Sequence, residues 1–377
     1  MAGESYNQIQ INRAALCHNY RLLQKRAGSQ TRLLAMVKAD AYGHGMIESA
    51  KTFADVGCKD FGVAEIGEGV QLRASDIQGN IFIFLGFDSS DVALFFDYGL
   101  TPVLYDMESA KVLSREAVKQ NKEITVHLKV DCGMTRLGIL PDEVEQFLTQ
   151  LKQLPGIVCA GIASHFPRAD EQDSSHTPEQ FLYFEQLSAS ADKIQKHSLI
   201  KHTANSGGIL YFPQTCCDMV RAGIALYGYY PDGIAGVGTE AGEKLQPAMS
   251  FTTRVLQVKT VSAGVGVSYG HTYTTDGKTR IAVLPVGYED GLSRSLSNTG
   301  EVLIHGKRAA IIGRICMNLC MVDVSHIKGV QPGDKVVVLG SQFDETISGD
   351  EIAGWMDSIS YEVLCLFGNN NQRKHIE

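Results

Sequence analysis

Short apolar runs alternate with helix-type segments through the first 230 or so residues of the chain. The runs are Leu33–Lys38, Phe61–Ala64, Ile81–Leu85, Thr101–Tyr105, Ile124–Val130, Ile157–Ser164, Leu199–Thr203 and Asp218–Arg221. Strands joined by helices pair in parallel, and eight nearly even repeats are the number that closes a (β/α)8 barrel. An open, doubly wound sheet is the main alternative, but the even spacing of the repeats favours closure.

The sequence changes character after the eighth run. Residues Pro231–Gly242 are rich in glycine and predict a loop or linker. We therefore divide the chain into a barrel domain at residues 1–235 and a mainly β domain at residues 236–377.

The second part of the chain predicts an all-β domain, because its runs are short and β-branched and lack regular helices between them. One helix is expected there, beginning after Ser348 with a capping-box pattern and ending near Ser358. His305–Arg308 is typical of a hairpin turn. The predicted strands are Phe251–Val261, Arg280–Pro285, Val302–Ile304, Ala309–Ile312, Cys320–Val324 and Lys335–Leu339.

Composition and charge restrict the class of protein. A chain of 377 residues is too long for one ordinary core, and 44% hydrophobic with 20% charged residues is typical of a globular protein. The formal net charge of −8 argues against a nucleic-acid-binding surface. The N-terminus does not resemble a secretory signal, and the most apolar run, Ile81–Leu85, is too short to cross a membrane. We expect a cytoplasmic protein.

The nine cysteines show no spacing typical of a metal site. Cys216 and Cys217 are adjacent, while Cys316 and Cys320 are four residues apart without a second pair nearby. This pattern favours reduced thiols in a reducing compartment, and no bound metal ion is expected.

Polar side chains occur at the carboxyl ends of the predicted strands, where the active sites of such barrels form. The first run ends in Lys38. A lysine at the mouth of a buried strand is costly unless it is paired or used in chemistry, such as Schiff-base formation. A lysine that extends its amine into water is the alternative. The other polar strand ends are Lys129–Gly138, Ser164–His165, His202–Gly208 and Arg221–Gly228.

Glycine-bearing turns follow the seventh and eighth predicted strands. Such turns commonly bind phosphate in barrels, because their backbone N–H groups point at the anion, and Ser206, Gly207 and Gly223 suit that task. A phosphate site beside a strand-end lysine suggests pyridoxal phosphate, whose aldehyde the lysine would hold. Each feature alone has an ordinary structural explanation, but their placement at successive strand ends favours the functional one.

With these segments identified, the chain closely resembles the alanine racemase family of fold-type III pyridoxal-phosphate enzymes. The resemblance covers nearly the whole length and implies an enzyme that interconverts L- and D-alanine, a step in D-alanine biosynthesis for peptidoglycan precursors. The matching motifs are Val37–Gly45, Gly133–Gly138, Asn205–Gly207, Arg221–Ile224, Val267–Gly270, Gly287–Tyr288, Gly313–Met317 and Tyr361–Val363.

The resemblance implies roles for individual residues. Lys38 would bind the cofactor covalently and act as one catalytic base, and Tyr269 of the partner subunit would be the second. Arg136 and the backbone N–H of Met317 would bind the substrate carboxylate. The cofactor would be held by Tyr42, His165, Asn205, Ser206, Arg221, Gly223, Ile224 and Tyr361.

The resemblance also implies a homodimer, because each active site would be completed by residues of the other chain. Lys129 matches a lysine that is often carbamylated in the family, a change that would place an anion facing Arg136. The substrate entrance would be lined by Asp170, Tyr288, Arg294 and Arg314.

Inversion at Cα requires a proton to leave one face and another to arrive on the opposite face. Two bases on opposite faces, here Lys38 and Tyr269, accomplish this without turning the intermediate over. Arg221 would face the pyridine nitrogen of the cofactor. Because an arginine does not give up its proton, that nitrogen should remain unprotonated, which suits racemisation.

Two positions depart from the family pattern. Asn318 stands where aspartate is usual, and Glu289 stands where alanine is usual. These differences leave open a serine or broad-specificity amino-acid racemase of the same fold. A fold-type III decarboxylase is less favoured, because such enzymes prefer an acidic partner for the pyridine nitrogen. A non-catalytic pyridoxal-phosphate carrier or homeostasis protein would usually lack the β domain.

Overall fold

The computed structural model describes residues 5–234 and 243–377, and within them the chain forms two compact units. The barrel unit comprises Ala15–Ala41 and the described part of Met46–Gln246. The β unit comprises the described residues up to Ala14, the short segment Tyr42–Gly45, and Pro247–Glu377. The predicted division between residues 235 and 236 lies outside the described residues, as does the predicted linker beyond Ile234.

The barrel unit contains an eight-stranded parallel sheet whose strands follow one another in chain order. The chain first forms β1 (Gln8–Asn12), which belongs to the β unit. The barrel strands are β2 (Arg32–Met36), β3 (Asp60–Val63), β4 (Asn80–Ile83), β5 (Leu100–Leu104), β6 (Ile124–Lys129), β7 (Ile157–Ala163), β8 (Ile200–His202) and β9 (Met219–Ala222).

The sheet closes on itself. Leu34 in β2 pairs with Asp60 in β3 and also with Arg221 in β9, so the first and last strands of the sheet are neighbours. Between β8 and β9, the Arg221 backbone N–H donates to the Ala204 carbonyl oxygen at 2.9 Å. The predicted barrel is therefore confirmed, and the open doubly wound alternative is excluded.

Helices alternate with the barrel strands as predicted. Asp106 caps one of them, because its Oδ1 accepts from the Ser109 backbone N–H at 2.7 Å. The helices are Arg13–Ala27, Met46–Asp55, Ile66–Ala74, Val92–Asp97, Met107–Gln120, Val144–Leu151, His176–Gln195 and Ser206–Tyr211. In the described part of the chain, none of the helices has the length and apolar character needed to span a bilayer.

The β unit is built mainly from antiparallel strands. These are β10 (Met249–Arg254), β11 (Gln257–Val261), β12 (Gly266–Val267), β13 (Tyr273–Thr274), β14 (Thr279–Leu284), β15 (Glu301–Ile304), β16 (Lys307–Ala310), β17 (Cys320–Asp323), β18 (Lys335–Gln342), β19 (Glu345–Ile347) and β20 (Arg373–Ile376). The largest sheet has the order β16-β15-β18-β10-β1-β20, with β19 beside β18. The predicted run Phe251–Val261 divides between β10 and β11, which lie in different sheets.

Two features of the β unit were not expected. The N-terminal strand β1 lies between β10 and β20, so the largest sheet takes one of its inner strands from the beginning of the chain. The expected helix is present at Gly349–Met356, with Ser348 accepting from the Glu351 backbone N–H. A second helix, Ser360–Asn370, follows it.

The segment Tyr42–Gly45 packs tightly against the second helix of the β unit. A Cβ on Gly368 would lie 1.8 Å from the Gly43 carbonyl oxygen, so only glycine fits there. Arg373 joins the two pieces of chain, because its Nη1 donates to the carbonyl oxygens of both Gly43 and Gly368. The segment Tyr42–Gly45 is thus held in the β unit by the helix Ser360–Asn370 and by Arg373.

Replacing Gly368 by alanine should lower the free energy of unfolding by about 3 kcal/mol, because the added methyl group overlaps the Gly43 carbonyl. Urea denaturation measures the change. Gly354→Ala, in the neighbouring helix, is the control, because nothing lies within 4 Å of its Cβ position. It should be neutral or stabilising by about 0.5–1 kcal/mol. Similar destabilisation by both variants would contradict the packing described.

Candidate active site

Lys38 follows β2 and opens an unusual backbone turn. The next four residues all have positive φ angles, between 52° and 55°, in Ala39, Asp40, Ala41 and Tyr42. This left-handed conformation costs most residues other than glycine roughly 1–2 kcal/mol each, so surrounding contacts must stabilise it. Within the barrel unit, the Ala39 N–H donates to Glu68 Oε1 at 2.7 Å, and Asp40 Oδ1 accepts from the Met46 N–H at 2.6 Å.

The Arg221 side chain is only 4% exposed and is held entirely by neutral acceptors. Nη1 donates to the His202 carbonyl at 2.6 Å and lies 3.0 Å from His202 Nδ1. Nη2 donates to the carbonyls of Ser164 and Thr203 and lies 3.1 Å from His165 Nδ1. Burial, with the nearby Arg136, lowers the pKa of Arg221 to about 10, so the side chain remains a cation at neutral pH.

His165 lies in a positive field. Its pKa is lowered well below the ordinary value, first by burial and then by the charges of Arg221, Lys129, Arg136 and Lys38. The imidazole is therefore neutral at physiological pH. Cations gathered around one neutral ring favour an anionic ligand at this end of the barrel.

Lys129, the last residue of β6, is 8% exposed, and its Nζ lies 5.9 Å from the centre of the Phe84 ring. Burial, followed by the positive charges of Arg221, Arg136 and Lys38, lowers its pKa to about 7 against an opposing effect of Asp131. A large part of the Lys129 amine is thus uncharged and nucleophilic at neutral pH.

Asp131 organises the loop that carries Arg136. Its carboxylate accepts from four consecutive backbone N–H groups at 2.7–3.0 Å, those of residues 133 to 136. Burial alone would raise the pKa of this carboxyl, but the four donors hold it below its usual value. Asp131 thus supports the loop, and its negative charge only partly offsets the effect of the cations on the pKa of Lys129.

The turns after β8 and β9 are joined through Ser206. Its buried Oγ accepts from the backbone N–H groups of Gly223 at 2.9 Å and Ala225 at 3.3 Å. Asn205 caps the helix Ser206–Tyr211 by accepting from the Gly208 N–H at 3.1 Å, and Ile224 is fully buried. A Cβ on Gly207 would lie 2.4 Å from the Ala169 carbonyl oxygen. Within the barrel unit, the turns that carry Asn205, Ser206, Gly223 and Ile224 are therefore connected.

In the β unit, Tyr42 and Tyr361 are neighbours, with ring centres 6.1 Å apart. Burial raises the pKa of Tyr42, and Tyr361 and Cys365 raise it further. The Tyr42 phenol therefore keeps its proton and acts as a hydrogen-bond donor. Tyr361 occupies the first turn of the unpredicted helix Ser360–Asn370.

The β unit also brings together several of the other predicted residues. Tyr269 is 69% exposed. A Cβ atom added to the adjacent Gly270 would lie 3.3 Å from the Arg314 guanidinium. The Tyr288 backbone N–H donates to the Cys316 carbonyl at 3.1 Å, next to the exposed Met317.

The two remaining predicted entrance residues, Arg294 and Asp170, lie in different units. Arg294 begins a short 3-10 helix, and Ser297 at its end accepts through Oγ from the Ile315 N–H at 3.1 Å. Asp170 is exposed on the barrel unit. The two positions that depart from the family pattern contact each other, because Asn318 Nδ2 donates to Glu289 Oε2 at 3.0 Å.

Sequence reasoning did not assign roles to three residues that shape the site. Asp131 and His202 stand in strand-end segments that were identified, but their contacts to the 133–136 loop and to Arg221 were not foreseen. His127 was missed altogether. Its position two residues before Lys129 on β6 was the available signal, because side chains two apart in a strand point to the same face.

The described residues fit a ligand that carries both a phosphate and an aldehyde. A lysine follows β2, Ser206 joins two glycine-bearing turns, and cations surround His165. Among the described residues, no group of three or more His, Cys, Asp or Glu side chains could hold a metal ion. Fold and site thus define a two-unit barrel protein with a strand-end lysine and a buried arginine at an anion-binding mouth.

Comparison with known sequences identifies the family. The alanine racemase N-terminal domain model matches residues 11–231, and the C-terminal domain model matches residues 248–375. The alanine racemase of Halothermothrix orenii is 40% identical over 358 residues, which cover 94% of this chain and 93% of that protein. The chain belongs to the alanine racemase family, as the sequence motifs predicted.

Solved structures agree with this assignment. The alanine racemase of a D-cycloserine-producing Streptomyces lavendulae has a TM-score of 0.93 and 31% identity, with 100% of this chain and 98% of that chain covered. The alanine racemase of Bartonella henselae, solved with covalently bound pyridoxal phosphate, has a TM-score of 0.89 and 28% identity, with coverage of 99% and 100%. The expected fold class is confirmed.

Proposed function

We propose that this chain is a pyridoxal-phosphate-dependent racemase that interconverts L- and D-alanine through two bases, Lys38 and Tyr269 of the partner subunit. The observation that carries the proposal is the cationic mouth of the barrel, where Arg221 is buried against His165 and acts together with Lys129, Arg136 and Lys38. This site suits a phosphorylated cofactor and a substrate carboxylate. The proposed reaction, racemisation of alanine, is inferred from membership of the alanine racemase family.

Pyridoxal phosphate, when bound, supplies an electron-withdrawing ring that stabilises negative charge at the substrate Cα. Lys38 would attach it covalently, and Arg221 with His165 would hold the ring. Arg221 keeps its own proton because its pKa of about 10 lies well above neutral pH, so it would not protonate the pyridine nitrogen of the cofactor. The phosphate would be bound by Tyr42, Asn205, Ser206, Gly223, Ile224 and Tyr361.

The substrate would be positioned by its carboxylate. Arg136 would bind it from the loop that Asp131 organises, and the Met317 backbone N–H of the partner subunit would bind it from the other side. Lys38 would move a proton on one face of Cα, and Tyr269 of the partner subunit would move a proton on the opposite face. Asp170, Tyr288, Arg294 and Arg314 would control entry.

A homodimer with shared active sites follows from the same assignment. Tyr269, Tyr288 and Met317 are 69%, 43% and 55% exposed in the single chain, so these three large side chains are accessible to a partner surface. A second copy of the chain would cover them and bring Tyr269 to the cofactor. We further propose a cytoplasmic enzyme that supplies D-alanine for peptidoglycan precursors.

Lys129 is proposed to carry a carbamate. Its uncharged amine would attack carbon dioxide, forming an N–C bond and releasing one proton. The product is an anion, which would balance the surrounding cations and face Arg136. The low pKa of the amine, about 7, supports this proposal, because only the uncharged form reacts.

A substrate panel tests the function. The purified protein with pyridoxal phosphate should interconvert the enantiomers of alanine faster than those of serine or of larger amino acids, as measured by chiral chromatography of each reaction. Faster turnover of serine would favour the broad-specificity alternative, which the Asn318–Glu289 contact makes worth testing. A protein that binds the cofactor but racemises nothing would be a carrier.

Removing the hydroxyl group of Tyr269 should abolish proton transfer on one face of the substrate Cα. In Tyr269→Phe, exchange of the Cα proton with deuterium should be lost for one enantiomer and kept for the other, and racemisation should fall by about 10²- to 10⁴-fold. Proton NMR in deuterium oxide follows both enantiomers. Tyr183→Phe, an exposed tyrosine on the helix His176–Gln195, is the control. Equal loss in both directions would contradict the two-base assignment.

The carbamate should depend on pH in a defined direction. Below pH 7 the Lys129 amine becomes protonated and cannot react, so carbamate content should fall as the pH drops from 8 to 6. Carbon-13 NMR with labelled bicarbonate should show one carbamate signal per chain, absent in Lys129→Ala and retained in Lys122→Ala, an exposed lysine. No signal in the unaltered protein at pH 8 would refute the carbamate.

A further inference from the structure

A row of ring nitrogens leads from Arg221 across the barrel interior. Arg221 Nη1 lies 3.0 Å from His202 Nδ1 in β8, and His202 Nε2 lies 2.8 Å from His127 Nδ1 in β6. His202 is fully buried and His127 is 2% exposed. Three strands of the barrel thus contribute to one buried hydrogen-bond chain that ends at the arginine.

The direction of these hydrogen bonds can be deduced from the contact with the arginine. A guanidinium has only donors, so His202 Nδ1 must accept, and a neutral His202 then carries its proton on Nε2. That N–H donates to His127 Nδ1, which leaves the proton of His127 on its own Nε2. A single arrangement of protons therefore satisfies both contacts.

Both imidazoles are held in the uncharged form that this arrangement requires. Burial, followed by the charge of Arg32, lowers the pKa of His127 to about 4 against an opposing effect of Asp60. Burial and then Arg221 lower the pKa of His202 well below its ordinary value. Neither imidazole therefore carries a second N–H, which would oppose the donor of its neighbour in one of these two contacts.

Strands β6 and β7 are shaped around the His127 ring. Their register shifts between Val126 and His127, because Val126 pairs with Cys159 whereas His127 pairs with Gly161. A Cβ on Gly161 would lie 2.2 Å from His127 Nδ1, so glycine leaves the space that the ring occupies. Bulges near active sites commonly redirect a side chain, and this one directs His127 towards His202.

We propose that His127 is a positioning residue that fixes the tautomer of His202 and, through it, the orientation of the Arg221 guanidinium. If His202 carried its proton on Nδ1, two N–H donors would meet at 3.0 Å and the guanidinium would have to turn. His127 prevents this by accepting the Nε2 proton. The inference rests on the proposed function for the importance of Arg221, but the tautomers can be measured without turnover.

The tautomers are tested first in the holoenzyme labelled with nitrogen-15 histidine. Long-range proton–nitrogen correlation spectra should show His127 and His202 neutral, each with its proton on Nε2, assigned by loss of signals in single variants. A His202 protonated on Nδ1, or on both nitrogens, would overturn the inference. This result does not depend on substrate, so it stands apart from the test of the racemase activity.

Two substitutions at position 127 separate hydrogen bonding from packing. His127→Asn keeps an acceptor near the place of Nδ1, whereas His127→Leu removes it and leaves the buried His202 N–H without a partner. His127→Leu should lower kcat by roughly 10- to 100-fold and alter the absorption spectrum of the bound cofactor, and His127→Asn should retain most of both. Equal loss in the two variants would show a packing role and overturn the proposal.

A substitution on the neighbouring strand provides an independent check should His127→Leu fail to fold. Gly161→Ala displaces the His127 ring without changing its chemistry, and it should change the His202 tautomer signal and the cofactor spectrum in the same direction. An unchanged His202 tautomer in a folded Gly161→Ala protein would contradict the proposal. His197→Gln is the control, because His197 also contacts β7, at the Cys159 carbonyl 2.9 Å away, but lies outside the row.

Discussion

A guanidinium buried inside a barrel must find acceptors for its N–H donors among the strands around it. Arg221 finds them in the carbonyls of Ser164, His202 and Thr203 and in the ring nitrogens of two histidines. None of these acceptors carries a negative charge, so the positive charge is solvated but not neutralised. Its field reaches Lys129 and His165 and lowers the pKa of both. The preference of the site for an anion follows from this one burial.

The two units contribute different chemistry. The barrel unit supplies cations and neutral imidazoles at the ends of strands, which the eight-stranded parallel sheet holds in place. The β unit supplies phenols, with Tyr42 and Tyr361 adjacent and Tyr269 exposed. Phenols that keep their protons bind anions as donors, whereas an exposed phenol can take part in proton transfer once it is covered. Fixed positive charge and adaptable hydroxyl groups are thus kept on separate parts of the chain.

Much of the barrel could be predicted because its signals are local. Each of the eight apolar runs overlaps one strand, and helices alternate with these strands as expected. The β unit was harder, because β1 pairs with strands from the far end of the sequence and no local pattern reports such a partner. The helix Ser360–Asn370 begins at Ile359 without a side-chain cap, so it lacked a start signal.

The site likewise has features that the local sequence predicts and features that depend on contacts with distant residues. Lys38, Arg136, His165 and Arg221 could be found because they end strands or follow them directly. The left-handed turn after Lys38 could not, since alanine has no preference for it and distant residues such as Glu68 impose it. The contact between His127 and His202 depends on the register shift between β6 and β7, which sequence alternation alone does not reveal.

The placement of β1 has a consequence for how the protein is made. This strand is synthesised before every barrel strand, yet one of its neighbours, β20, is synthesised after all of them. The largest sheet of the β unit therefore cannot be completed until β20 has emerged, whereas the barrel strands pair in the order of their synthesis. Until then the exposed edges of β1 need protection from wrong partners, and a prematurely terminated chain would lack the strand that covers one of them.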